Sequence, residues 1–235
     1  VIRTYLDNQF KKGIPSNFVV LRKLYDSKEK AKIIENIALE FETKLRKNKS
    51  DEKDAKTLIW VLLFLSKNYD YKKEYELAEK YINEAIELSS DIVELYLFKA
   101  RLLKHAGKIS EASQVMEHAR NMDLSDRYIN TKAVKYMLRN GEIDKAREII
   151  LLFSRPDAQD PVAELVEMQS LWYTYEIADA YRRKGDYGES LKYLYQIHKH
   201  FDDFYDDQLD FHSYSLRKVT LRSYLDLLNF EDGVF

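Results

Sequence analysis

The chain has 235 residues and an ordinary globular composition, with 45% apolar and 33% charged residues. Its 38 basic and 40 acidic residues leave a net charge of −2, which gives no global attraction for nucleic acid or for an anionic membrane. The absence of cysteine excludes disulfides, thiolate zinc sites and a cysteine nucleophile, and it fits a cytoplasmic location. Six glycines and three prolines are too few for a fold rich in tight turns, so we expect long helices.

The first segment, residues 1–54, reads as helical repeats followed by a charged loop. "YLDNQFKKGIPSNFVVLRKLY" predicts helix, turn, helix, with Gly13 supplying the break and Pro15 in the first turn of the second helix. The spacing of Ile34, Ile37 and Phe41 is that of an amphipathic stripe and predicts a further helix over about 28–46. "RKNKSDEKD" is then expected to be a loop.

An internal repeat occupies residues 55–200. Ala78, Ala112 and Ala146 are each 34 residues apart, and Gly107 and Gly141 share that spacing. A period of about 34 residues is typical of tetratricopeptide helix pairs, in which a small residue lets the two helices of a pair cross closely. The sequence therefore predicts an all-α fold, a tetratricopeptide-type helical-repeat superhelix or α-solenoid.

A fourth repeat, "YTYEIADAYRRKGDYGESLKYLYQI", departs from the others at Thr174 and Ser190, which replace a bulkier residue and the usual alanine. It is displaced by about ten residues, which predicts a loop insertion near 154–164 in "SRPDAQDPVAE". Residues 201–235 form an acidic, aromatic stretch and another helical run, which we expect to pack on the fourth repeat. We expect all three segments to be one solenoid cut from a longer chain.

Motifs for chemistry are missing from the sequence. There is no HExxH, GxGxxG, GxxxxGK[ST] or GxSxG, so we expect no catalytic residue and no metal site. The string "RRKGDYG" is close to the coenzyme loop of acetyltransferases, but Tyr187 occupies a position that requires a small residue, and Gly185 is the turn glycine of the repeat. The longest apolar run, 58–65, is too short to cross a bilayer, so we expect no membrane partner.

One basic cluster stands out. Arg101, Lys104 and His105 lie at i, i+3 and i+4, which places them on one helical face, and Lys132 follows on the first helix of the next repeat. The register set by the turn glycines places these residues on the concave side of the superhelix. Lys135 is a less certain member, because it could face the neighbouring helix. A solvated basic face without a ligand is the alternative interpretation.

Several stretches resemble a known family more closely than the repeat requires. "FKKGIPSNFVVLRKLY", "KARLLKHAGKISEA", "LSDRYINTKAVKYMLRNGEIDKA" and "DDQLDFHSYSLRKVTLRSYLDLLNFED" are similar to successive parts of the auxiliary subunit of the N-terminal acetyltransferase A complex. Of these, the stretches around 126–138 and 206–232 carry little that the generic repeat demands, so they are the family-specific evidence. The resemblance suggests an internal fragment of that subunit.

This resemblance implies a scaffold that encircles a separate catalytic acetyltransferase subunit, which acts on nascent chains, and that attaches to the ribosome through the full-length chain. It implies no cofactor of its own and no sequence-specific nucleic acid binding. It also implies inositol hexakisphosphate as a structural ligand of Arg101, Lys104, His105 and Lys132, since such basic residues contact an inositol phosphate in the family.

The alternative function is a generic tetratricopeptide adapter that grips the C-terminal carboxylate of a peptide. That clamp requires Lys and Asn in the first repeat and Asn in the second. The chain has Leu63, Lys67 and Phe98 at these positions, so the sequence disfavours a clamp of that kind.

Overall fold

The computed structural model describes residues 1–47, 52–152, 164–165, 170–217 and 221–233. Every regular element within this part of the chain is a helix. The helices form two compact units, residues 1–140 and 141–235. The predicted all-α, tetratricopeptide-type helical-repeat fold class is confirmed.

Among its described residues, 1–47 and 52–140, the first unit holds eight α-helices and one 3₁₀ helix. In chain order they are α1 (Ile2–Lys11), α2 (Asn17–Leu21), the 3₁₀ helix (Arg22–Asp26), α3 (Lys28–Lys47), α4 (Glu52–Tyr71), α5 (Tyr75–Leu88), α6 (Val93–His105), α7 (Ile109–Met122) and α8 (Arg127–Arg139). Helices α4 and α5 form one close pair, and α6 and α7 form the next. Because α5 also packs on α6, and α7 on α8, successive pairs stack in the order of the chain.

The second unit contains α9 (Ile143–Leu151), α10 (Leu171–Lys184), α11 (Tyr187–Arg217) and α12 (Leu221–Asp232). Helices α10 and α11 form the fourth predicted pair, and Thr174 and Ser190, the two departures from the repeat pattern, are both buried in it. The small hydroxyl side chains therefore occupy core positions of this pair, as the register predicts.

Alanines lie where the helices of the first two pairs approach. Ala78 and Ala112 are fully buried on α5 and α7, and Ala146, at the same spacing, is fully buried on α9 of the second unit. On α4, the hydroxyl of Ser66 donates a hydrogen bond of 2.6 Å to the carbonyl oxygen of Ala78. A larger side chain at these positions would separate the helix axes, which explains the recurrence of alanine at intervals of 34 residues.

The turns between paired helices share one backbone geometry. Gly107 and Gly185 have φ of +81° and +85°, and each is followed by a hydrogen bond from the next amide back to the carbonyl five residues earlier, 2.9 Å from Lys108 to Leu103 and 3.0 Å from Asp186 to Tyr181. This is the Schellman helix end, which requires a left-handed residue. In the first pair Lys73 takes that place, with φ of +65°.

Gly107 acts through its backbone conformation and not through its small size. A Cβ atom built on Gly107 meets nothing within 4 Å, so the residue does not make room for a helix crossing. Its positive φ is the feature that favours glycine. Space is decisive at Gly13 instead, where φ is +69° and a Cβ would lie 2.9 Å from Nε1 of Trp60.

Several predicted boundaries move. Pro15 lies in the turn before α2, which begins at Asn17 after Ser16, and not in the first helical turn. Of the predicted charged loop, residues 48–51 lie outside the described residues, and its two ends belong to α3 and α4. The predicted loop insertion falls almost entirely outside the described residues. The division into three segments at 54 and 200 stays a prediction.

Two helices cover the described end of the chain. Helix α11 continues without a break through the acidic, aromatic stretch of the predicted C-terminal segment. Helix α12 has no buried residue among those described, so the predicted packing on the fourth repeat does not bury its leucines. An apolar spacing alone cannot say whether the stripe is covered within the same chain.

The left-handed turns generate a paired mutational test. We expect Lys73→Gly to stabilise the protein modestly, since a left-handed L-residue costs about 1–2 kcal/mol and the greater freedom of glycine in the unfolded chain offsets about 0.4–1 kcal/mol of that gain. Gly107→Val should destabilise it by roughly 1–2 kcal/mol or more through backbone strain alone. Urea denaturation followed by circular dichroism measures both changes.

The matched control is Gly188→Ala in the first turn of α11, where the new Cβ makes an ordinary contact at 3.7 Å. We expect this variant to unfold at the wild-type midpoint or slightly above it. An unchanged midpoint for Gly107→Val would contradict the left-handed turn.

Candidate ligand-binding site

A cavity of about 200 Å³ lies between α6 and α8 in the first unit, next to α7. Five basic side chains converge on it, and none of its lining residues is acidic. We call it the basic cavity, and it is lined by Leu97, Arg101, Lys104, Met116, Tyr128, Lys132, Lys135, Tyr136 and Arg139.

The helical register explains why these cations meet. On α6, Leu102 and Leu103 are buried in the core. Arg101 and Lys104, three residues apart, lie on another face of the same helix, which lines the cavity. On α8 the residues at i, i+3 and i+7 from Lys132 face the cavity, while Ala133, Val134 and Met137 fill the core.

The start of α8 is fixed by a side-chain cap. Asp126 Oδ1 accepts a hydrogen bond of 3.0 Å from the backbone N–H of Ile129, which satisfies one of the amides that the first helical turn leaves unpaired. This cap fixes where α8 begins.

The charges in the basic cavity oppose one another. Burial lowers the pKa of Lys104 below its usual range, and the positive charges of Arg139, Arg101 and Lys132 lower it further, with Asp70 opposing them. Lys132 Nζ lies 5.2 Å from the centroid of the Tyr128 ring, a contact that offsets part of the cost of holding the ammonium group there. The arrangement is suited to an anion with several negative charges.

The structure separates His105 from the other predicted site residues. Arg101, Lys104 and Lys132 line the basic cavity, but His105 does not. Its ring nitrogen Nδ1 lies 2.8 Å and 3.0 Å from the two carboxylate oxygens of Asp70 on α4. His105 is one helical position beyond Lys104, which is enough to turn it toward α4 and away from α8.

The sequence reasoning missed Arg139 and left Lys135 uncertain, and both line the basic cavity. The signal was present, because Lys132, Lys135 and Arg139 follow the three-and-four spacing of one helical face. The spacing of charged residues could have identified Arg139 as readily as the spacing of apolar residues identified the core.

Other kinds of site find no support in the described part of the chain. No group of three His, Cys, Asp or Glu side chains there could hold a metal ion. In the same part of the chain, no helix has the length and apolar character needed to cross a membrane.

Fold and site together define a class of protein: a tetratricopeptide-type helical-repeat protein with a polycationic cavity between two repeats. A family model described as N-terminal acetyltransferase A, auxiliary subunit, matches residues 1–235, so the chain belongs to the family of auxiliary subunits of the N-terminal acetyltransferase A complex. The resemblance seen in the sequence is thereby confirmed.

Individual relatives agree with this membership. The chain is 39% identical to "N-alpha-acetyltransferase 16, NatA auxiliary subunit" from Mus musculus, over 98% of its own length and 27% of that protein. It is also 39% identical to "N-terminal acetyltransferase A complex auxiliary subunit NAA15" from Arabidopsis thaliana, over 98% of its own length and 26% of that protein. The chain thus spans about a quarter of the length of these relatives.

A solved structure of Naa15/Naa10 bound to HypK-THB contains a chain of the same fold. The match has a TM-score of 0.87 at 36% identity, and it covers 99% of this chain and 35% of that chain.

The repulsion in the basic cavity predicts the effect of removing one charge. Lys104→Met keeps an apolar stem of similar length and removes the ammonium, so we expect a higher melting temperature at pH 7. Because the folded pKa is lowered, the wild-type protein gains stability as the pH rises toward 10.5, and the difference between variant and wild type should shrink. Thermal unfolding at several pH values measures this trend.

Lys80→Met, at an exposed position on α5, is the matched control and should melt as the wild type does. A Lys104→Met protein that melts below the wild type at pH 7 would show that the ammonium group is stabilising and that the cavity charges do not oppose one another.

Proposed function

We propose that this chain is a section of a non-catalytic scaffold subunit that binds and positions the catalytic subunit of the N-terminal acetyltransferase A complex. In this role it serves co-translational acetylation of nascent chains in the cytoplasm, with the ribosome contacted through the full-length protein. The observation that carries the proposal is the family membership of the whole chain, together with its likeness to a chain of the Naa15/Naa10 structure.

The local structure agrees with catalysis by the partner. The string "RRKGDYG" is the helix end between α10 and α11, where Gly185 takes the left-handed position of a Schellman turn. Tyr187 begins α11 with an exposed side chain. The glycine therefore ends a helix, and a phosphate-binding loop between strand and helix is not needed to explain it.

We expect the purified chain alone to show no acetyl transfer to a peptide that begins with Ser, and to increase or redirect the activity of a catalytic subunit when the two are combined. Release of coenzyme A from acetyl-coenzyme A measures the turnover. Transfer by the isolated chain would contradict the non-catalytic assignment, and a catalytic subunit that behaves identically with and without the chain would contradict the scaffold role.

The proposed structural ligand of the basic cavity is inositol hexakisphosphate, held by Arg101, Lys104 and Lys132, with Lys135 and Arg139 added from the structure. Phosphate oxygens accept charge-assisted hydrogen bonds from guanidinium and ammonium groups, each worth roughly 1.5–3 kcal/mol. The anion would also relieve the repulsion that lowers the pKa of Lys104. His105, paired with Asp70 outside the basic cavity, is the weakest member of the original set.

We expect Lys104→Glu combined with Lys132→Glu to abolish inositol hexakisphosphate binding and to weaken the complex with the catalytic subunit, because two of the cavity cations become anions. Calorimetry on the heterodimer at two salt concentrations measures the affinity, which should fall with salt in the wild type.

The charge-matched control is Lys80→Glu combined with Lys30→Glu, at exposed positions of the first unit that do not line the basic cavity. Affinity unchanged in the cavity variant, or lost equally in the control, would reinstate the interpretation of a solvated basic face.

A further inference from the structure

A second cavity of about 340 Å³ lies beside the basic cavity in the first unit, between α2, the 3₁₀ helix, α4 and α6. We call it the aromatic cavity, because Phe18, Tyr71, Tyr75 and Phe98 contribute four of its lining residues. Its cationic residues include Lys67 and Arg101, and Arg101 also lines the basic cavity. The proposed polyphosphate site leaves the remainder of this cavity unexplained.

The two cations occupy the same place in successive repeats. Lys67 and Arg101 are 34 residues apart, and Lys135 is a further 34 residues along the chain. The first helices of three consecutive repeats therefore carry a cation at one register position. Charges repeated at the period of the solenoid form a row along its groove, which suits an extended chain better than a compact ligand.

Lys67 is set deep in the aromatic cavity. Its Nζ donates a hydrogen bond of 2.6 Å to the carbonyl oxygen of Pro15 and lies 5.4 Å from the centroid of the Phe98 ring. Burial and, to a lesser extent, the charge of Arg101 lower the pKa of Lys67 to about 8, against the opposing charge of Glu94. An ammonium has three donors, so the bond to Pro15 leaves capacity for an acceptor from a ligand.

The walls supply apolar surface next to these charges. Phe18, Tyr25 and Tyr71 form a cluster with ring centroids 5.0 to 5.9 Å apart, and Tyr71 keeps 43% of its surface exposed. Val19 at the cavity wall is 58% exposed. The Arg22 guanidinium lies 5.9 Å from the centroid of the Tyr71 ring. A ligand that complements these groups needs an anionic atom beside an apolar or aromatic side chain.

The size of the aromatic cavity limits the ligand further. A volume of about 340 Å³ is near the lower end of ligand pockets, at about 300–1,000 Å³. It admits a few side chains but not an α-helix, whose diameter is about 10–12 Å. Asp70 among its lining residues and its aromatic walls make it a poorer match than the basic cavity for a ligand that is charged all around.

We infer that the aromatic cavity binds an extended acidic peptide segment of a partner protein, with a carboxylate between Lys67 and Arg101 and a neighbouring aromatic or aliphatic side chain against Tyr71 and Phe98. The site is distinct from the basic cavity and shares only Arg101 with it. The inference goes beyond the scaffold role, since it assigns a class of segment that the groove recognises.

The test uses the 235-residue chain and a fluorescent, end-capped heptapeptide of sequence GSDFESG, with binding followed by fluorescence anisotropy. We expect saturable binding that is lost with GSNFQSG, which has no charge, and weakened with GSDAESG, which has no aromatic ring. Lys67→Met should weaken binding about tenfold or more, since it removes a hydrogen bond to a charged group. Val19→Asp should weaken it through repulsion at an exposed position that leaves the core intact.

The pH dependence gives a readout that loss of packing would not. Binding by the wild type should weaken from pH 7 to pH 9 as Lys67 loses its proton near pH 8, and Lys67→Met should flatten this profile. The other charged groups around Lys67 are Arg101 and Glu94, and the cavity lining adds Arg22, Asp70, Lys73 and His105. Lys80→Met, an exposed control, should keep both the affinity and the profile of the wild type.

Three results would overturn the inference. The first is no binding of GSDFESG, and the second is binding that Lys67→Met and Val19→Asp leave unchanged. The third is displacement of the peptide by inositol hexakisphosphate to the same extent in the wild type and in Lys104→Glu with Lys132→Glu, which would make the aromatic cavity part of a larger polyphosphate site. Failure of the chain to bind a catalytic subunit would contradict the scaffold role, but it would not affect the peptide test, which uses the chain alone.

Discussion

The close approach of paired helices at buried alanines is the constraint on which the rest of the structure depends. Ala78 and Ala112 have no exposed surface, and a hydroxyl from α4 reaches the carbonyl oxygen of Ala78 directly. Because the crossing recurs every 34 residues, each first helix presents the same positions to the groove. Lys67, Arg101 and Lys135 occupy one position of this register. The spacing of these cations in the two cavities therefore follows from the packing of the core.

The two cavities show how the same register yields different chemistry. Between α6 and α8 the lining combines five cations with no carboxylate, and burial together with their repulsion lowers the pKa of Lys104. Beside α2 the cations face aromatic rings and Asp70. The first cavity is suited to a multiply charged anion and the second to a segment that mixes charge with apolar surface. Helix α2 and the 3₁₀ helix, which contain Phe18 and Arg22, make the difference, since no later repeat has their counterpart among the described residues.

Periodicity predicted the fold well because it reports on packing. The alanines, the turn glycines and the helix over 28–47 all follow from side-chain size and spacing, which the structure reproduces. Three features escaped this reasoning for physical reasons. Lys73 adopts a left-handed backbone conformation that an L-residue disfavours. His105, one helical position beyond Lys104, contacts Asp70 and does not line the basic cavity. Helix α12 has an apolar stripe, but none of its described residues is buried. Each depends on a neighbouring element that a single stretch of sequence does not contain.

Arg101 lines both cavities, so an anion in either cavity screens the charge that Arg101 presents to the other. An anion in the basic cavity would cancel part of the field that Arg101 exerts on Lys67, so the proton affinity of Lys67 would rise. A carboxylate beside Lys67 would likewise reduce the attraction of Arg101 for a polyphosphate on the other side. The two proposed sites would therefore be thermodynamically linked through one guanidinium group, with the same coupling free energy whichever ligand binds first.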